Sequence, residues 1–189
     1  MKVLVVVDMQ NDFISGSLGT PEAQSIVPKV VEKIDQFTGD MICVTLDTHY
    51  GNYLVGTQEG KLLPVPHCQH QSDGWQLHED VRAAIERYTA RNEANDCQSF
   101  PKETFGSVDM GIWIKKIEHF GKIDEITLVG LCTDICVISN AMLLKAFLPE
   151  TKIVVDASCC AGVTPESHRT ALAAMKACQI FVENEEACV

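Results

Sequence analysis

The chain has 189 residues, of which 46% are hydrophobic and 22% charged, with a formal net charge of −11 at pH 7. That is enough length for one well-packed domain spanning residues 1–189 and short for two, and the composition is globular rather than disordered. The acidity argues against nucleic acid or an anionic membrane surface as a partner, since both need clustered Lys and Arg. No run reaches the roughly 18 apolar residues of a membrane-spanning helix, and "MKVLVVVDMQ" lacks the cleavage site of a secretory signal. The expected location is therefore cytoplasmic. There thiols stay reduced, so the nine cysteines, odd in number and without framework spacing, read mainly as small buried residues rather than disulfides.

In chain order, residues 2–8 ("KVLVVVD") open a series of continuous apolar runs, the pattern of strands covered on both faces. Helical periodicity over 22–37 leads to a second run at Met41–Asp47. Residues 48–75 then form a long connection rich in glycine and histidine, and such a connection inside a compact domain is usually functional. A helix over 76–91 precedes a short strand near Asp96–Lys102, and a helix over 108–120 precedes the run Glu125–Leu131. The next helix spans 133–147, with Thr133 as its start signal, followed by a run over 152–157. Thr164 as N-cap, Pro165 at the first helical position and Glu166 in the first turn mark a helix at Pro165–Ala177, before a last strand over 179–184. This alternation predicts an α/β fold, a three-layer α/β/α sandwich built from right-handed βαβ units on a parallel sheet.

In open parallel sheets the binding crevice lies beyond the carboxyl ends of the strands. Asp8, Asp47, Lys102 and the segment "LCTDIC" all fall there. Cys136 has two readings: a core thiol on a buried helix face, or a nucleophile whose thiolate is favoured by the first helical turn. The backbone N–H groups of Cys132 and Cys136 could hold an oxyanion. Asp8 reads either as a turn-capping residue or as a partly desolvated general base, and Lys102 either as a surface lysine or as a buried functional one. On a strand end Asp47 and His49 point the same way, and His67 of the long connection could join them around a metal. Surface histidines are the other reading, and His70, His78, His119 and His168 are assigned to it.

The order of Asp8 in "VVVDMQNDF", then "DTH", "LPVPHC", "PKETFGS" and "GLCTDICV" resembles the isochorismatase-like cysteine hydrolases, and among them the nicotinamidases. The resemblance runs from Val3 to about Ala173. It implies a six-stranded parallel sheet flanked by helices and a catalytic triad of Asp8, Lys102 and Cys136. It also implies an oxyanion hole at the N–H groups of Cys132 and Cys136, beside a cis peptide at Leu131–Cys132. A divalent metal is implied on Asp47, His49 and His67, with Glu59 a fourth ligand in some members. Zinc is the first candidate, and iron, manganese or magnesium are alternatives. Phe13 matches an aromatic of the family's pocket, and Tyr53 and Trp75 are candidates for the rest of its wall. The implied reaction is hydrolysis of a small amide, nicotinamide or pyrazinamide, to the acid and ammonia through a thioester. The alternative is another amide or carbamoyl substrate of the same family, and a homo-oligomer is implied by analogy. Where the family has glycine and threonine after His-Cys, this chain has Gln71 and Ser72.

Overall fold

The computed structural model describes residues 1–91 and 96–187. Its elements are β1 (Lys2–Val7), α1 (Asn11–Ile14), α2 (Pro21–Gln36), β2 (Met41–Asp47), α3 (Tyr53–Gly56), α4 (Gln58–Leu62), α5 (Glu79–Arg91), β3 (Asp96–Lys102), α6 (Val108–Ile117), β4 (Glu125–Leu131), a π-helical turn (Thr133–Val137), α7 (Ile138–Phe147), β5 (Lys152–Ala161), α8 (Pro165–Ala177) and β6 (Phe181–Glu183).

The six strands form one parallel sheet in the order β3-β2-β1-β4-β5-β6. Alternation along β1 sends Val3, Val5 and Val7 to one face and Leu4 and Val6 to the other. Ile114, Leu144 and Leu172 of α6, α7 and α8 cover the first face. Val30 and Tyr88 of α2 and α5 cover the second. Both faces are therefore dry, which is why the central strands read as unbroken apolar runs.

The strand order reverses between β1 and β4, where the connections leave in opposite directions and open a crevice at the carboxyl edge. Gly130 sits at that edge with φ +119°, and a Cβ there would overlap the Val7 carbonyl. No residue but glycine fits so close to the neighbouring strand in that conformation.

Some boundaries differ from the sequence reading. The strand expected over 152–157 continues to Ala161, because after an irregularity the β4 pairing resumes at Gly130↔Cys160 and Leu131↔Ala161. The helix expected over 133–147 begins as a π turn. Its cap position is Cys132, and the Thr133 side chain is engaged elsewhere. Thr164 does cap α8, in a reciprocal capping box with Ser167. The connection after β2 holds the two short helices α3 and α4. Among the described cysteines none is in a disulfide and most are buried, and Cys188 lies outside the described residues. No helix among the described residues is long and apolar enough to cross a membrane.

Candidate active site

Asp8 follows β1 directly, with φ +47°. Its Oδ1 accepts from the Thr45 hydroxyl at 2.7 Å, and its N–H donates to the Thr45 carbonyl at 3.2 Å. Lys102, the last residue of β3, reaches across β2 and places Nζ 2.7 Å from Asp8 Oδ2. The same ammonium lies 3.5 Å from Cys136 Sγ and 3.4 Å from Asp47 Oδ1. All four side chains are buried. Burial pushes the Asp8 carboxyl up from its ordinary value, against the pull of Lys102. The same burial, together with the Asp8 charge, pushes the Cys136 thiol well up despite Lys102. The resting sulfur thus holds its proton. The thiolate expected from the first helical turn is not what the surroundings favour, because burial disfavours the charge and Asp8 and Asp47 add to that against Lys102.

The Cys136 turn is held from several sides. The Cys132 carbonyl accepts from the N–H groups of Ile135 and Val137, and the peptide Leu131–Cys132 is cis. Buried Asn140 donates to the Cys136 carbonyl at 2.8 Å and accepts from the Ser107 N–H at 2.9 Å. Thr133 Oγ1 and His168 Nδ1 share a 2.8 Å hydrogen bond, and Asp134 Oδ1 accepts from the Val163 N–H at 3.1 Å. His168 is thus not a surface histidine. α8 lays it against the π turn, and burial lowers its basicity and keeps it neutral. His168→Ala is expected to lower kcat about tenfold with KM little changed, the scale of one lost buried hydrogen bond at a positioned turn. His168→Asn, which can restore the contact to Thr133, should recover most of the loss in a side-by-side kinetic measurement.

A second constellation abuts the first. Asp47 Oδ2 lies 2.9 Å from His49 Nε2 and 3.4 Å from His67 Nε2, and the three ligand atoms lie within 4.8 Å of one another. His67 comes from the long connection, which runs beside the end of β2. The His49 N–H donates to the Cys68 carbonyl, and the His70 N–H donates to the His49 carbonyl, each at 2.9 Å. Cys68, at φ +43°, is fixed by its N–H donating to Asp12 Oδ2. Gln10 clamps the strand end, accepting from the Asp47 N–H and donating to the Asp47 carbonyl, both at 2.8 Å.

The donor set suits a divalent cation. His67 Nδ1 is bonded to the Val65 carbonyl at 2.8 Å. A carbonyl only accepts, so Nδ1 carries a hydrogen and Nε2 faces the cluster; there, against burial, Asp47 raises the ring's basicity, and a divalent ion would take the place of that proton. His49 Nε2 is buried and faces Asp47 Oδ2 at 2.9 Å without the geometry of a full hydrogen bond. Despite its burial, Asp47 is held well below the usual carboxylate range by the two imidazoles and Lys102. Two nitrogens and one ionised oxygen on one buried point form a zinc-type or iron-type set. Glu59 is outside that group. Its Oε1 is 3.6 Å from His49 Nε2 and 3.9 Å from His67 Nε2, and burial and Asp47 raise its carboxyl.

Cys136, Cys132, Asp47 and His67 line the floor of a cavity of about 610 Å3, with Phe13 in its wall. Tyr53 and Trp75 do not line it. Tyr53 turns inward as α3 forms, its ring 4.1 Å from that of His49 and its hydroxyl donating to the Leu63 carbonyl at 3.1 Å. Trp75 faces Thr48, donating from Nε1 to its hydroxyl at 2.9 Å. Sequence reasoning missed Thr45, Gln10, Asn140 and His168. Only Gln10, beside Asp8 in "DMQNDF", carries a local signal. Cys132 also faces the cavity, but the Lys102 ammonium lies against the Cys136 sulfur, at 3.5 Å. Cys132→Ala is therefore expected to keep kcat/KM within about twofold in a steady-state assay.

Residues 2–186 match the family model of the isochorismatase domain. A nicotinamidase of Escherichia coli (strain K12) is 30% identical to this chain over 200 residues, covering 93% of this chain and 90% of that protein. A solved nicotinamidase/pyrazinamidase of Bacillus subtilis superposes with a TM-score of 0.78 at 27% identity, covering 96% of this chain and 98% of that one. A pyrazinamidase of Pyrococcus horikoshii in complex with zinc gives a TM-score of 0.72 at 27% identity, covering 96% and 97%.

Proposed function

From the premise that this chain belongs to the isochorismatase family, matched along residues 2–186, we propose that it hydrolyses nicotinamide, or a close aromatic amide such as pyrazinamide, to the acid and ammonia. The observation that carries this reading is the meeting of Asp8, Lys102 and Cys136 around one ammonium group, at 2.7 and 3.5 Å, beside a buried Asp-His-His cluster.

With the amide carbon over Sγ, Asp8 takes the Cys136 proton and the sulfur bonds to that carbon. Lys102 faces both groups and holds the negative charge as it moves from carboxylate to sulfur. The N–H groups of Cys132 and Cys136 stabilise the oxyanion. Asp8 returns its proton to the nitrogen, the C–N bond breaks and ammonia leaves. Water, giving a proton to Asp8, then attacks the thioester carbon. The S–C bond breaks, the proton returns to sulfur, and the acid is released. A divalent ion held by Asp47, His49 and His67, with zinc the first choice from the Pyrococcus horikoshii complex, would supply a Lewis-acidic anchor that orients a ring nitrogen.

The test is ammonia release by the purified protein from nicotinamide, pyrazinamide and a carbamoyl amine, with metal content measured in parallel. The expected result is turnover of the aromatic amides and about one divalent ion per chain, lost in His67→Ala. Turnover of the carbamoyl amine alone would sink the nicotinamide reading.

A further inference from the structure

The cavity is larger than the reacting groups need. About 610 Å3 is the size of a site that buries a drug-sized ligand, well beyond a single ring. Lys102 Nζ touches both Cys136 Sγ and Asp47 Oδ1, at 3.5 and 3.4 Å. The sulfur and the Asp47–His49–His67 cluster are therefore one ammonium group apart, and a six-membered ring with its carboxamide spans that floor.

Above the floor the walls are mainly apolar, with Glu59 and Glu103 also lining the cavity, and the apolar side chains come from separate parts of the chain. Leu18 follows α1, Leu62 ends α4, Phe105 follows β3, Ile135 is in the π turn and Val163 follows β5. Leu62, Phe105 and Val163 are 79%, 45% and 50% exposed. Scattered exposed apolar side chains are ordinary, but several converging on the mouth of one cavity mark a ligand surface. Among the described residues no Lys or Arg lines that cavity, so an anionic extension would find no partner.

We propose that the substrates of this site are aromatic carboxamides bearing an apolar group on the ring, which packs between Leu18, Leu62, Phe105 and Val163. This inference rests on the amide-hydrolase reading above. The ring substituent takes no part in the bond changes. It adds binding that holds the carboxamide over Cys136, and each buried methylene is worth about fourfold.

The experiment is kcat/KM of the zinc-loaded full chain for nicotinamide and for nicotinamides carrying methyl, isopropyl or phenyl at ring carbon 5, with a parallel series at carbon 6. In at least one series kcat/KM should rise with substituent size, reaching tenfold or more over nicotinamide. The double variant Leu62→Ser, Val163→Ser should lower the phenyl compound's value at least fivefold more than that of nicotinamide. A fall with size in both series, with nicotinamide still turned over, overturns the inference and leaves the amidase reading standing. No hydrolysis of any carboxamide overturns both.

Discussion

Cys136→Ala is expected to lower kcat/KM for nicotinamide by about 10⁴-fold or more while the protein stays folded. Nucleophile and base act as a unit, so removing the sulfur removes the whole covalent route rather than a share of it. Asp47, His49 and His67 remain, as do the backbone N–H groups, so substrate and metal binding should persist. The stability cost is small, about 1 kcal/mol, because the side chain is a single buried thiol. The contrast with Cys132→Ala is the diagnostic part: two cysteines of one turn, one used for its sulfur and the other for its backbone. If a metal-bound water were the nucleophile instead, Cys136→Ala would stay active and removal of the metal would abolish turnover.

Lys102→Met is expected to cost both activity and stability, whereas Asp8→Asn should cost activity alone. Among the described residues Lys102 is the one ammonium facing Asp8 and Asp47, each buried, at 2.7 and 3.4 Å. Its removal leaves two carboxylates close together in a dry site, and breaking such a pair costs about 3 kcal/mol or more. For a chain of this length that lowers Tm by about 6–12 °C. Asp8→Asn keeps an oxygen for the Thr45 hydroxyl, tolerates the positive φ at this position and leaves Lys102 paired with Asp47. Its stability should stay within about 1 kcal/mol of the parent, with hydrolysis lost. Thermal denaturation of the two variants beside their kcat/KM values separates a scaffold role from a proton-transfer role. Equal Tm losses would contradict the assignment.

The residues that could be read in advance are those whose position along a strand fixes their place. Met41–Asp47 and Glu125–Leu131 are strands with the bounds their composition suggested, because both sheet faces are covered there and the apolar runs stop where the crevice begins, and the edge strand Asp96–Lys102 lies where a short strand was expected. Asp8, Asp47, Lys102 and Cys136 therefore fall at one edge for topological reasons. His168 was not legible, since its partner Thr133 is 35 residues away and nothing local separates a histidine facing another helix from one facing water. Tyr53 was misread because the connection after β2 folds into short helices that turn the ring inward against His49. Gln71 is instructive in another way. It sits at φ +67°, in the left-handed region that glycine adopts most easily.

The central claim is a covalent thioester on Cys136, and the direct measurement is intact-protein mass spectrometry after rapid acid quench of the enzyme mixed with excess nicotinamide. The expected result is a transient species heavier by one nicotinoyl group, mapped to Cys136 and missing from Cys136→Ala. Ammonia release at the parent rate by Cys136→Ala, with no adduct on the parent enzyme at any quench time, would contradict it.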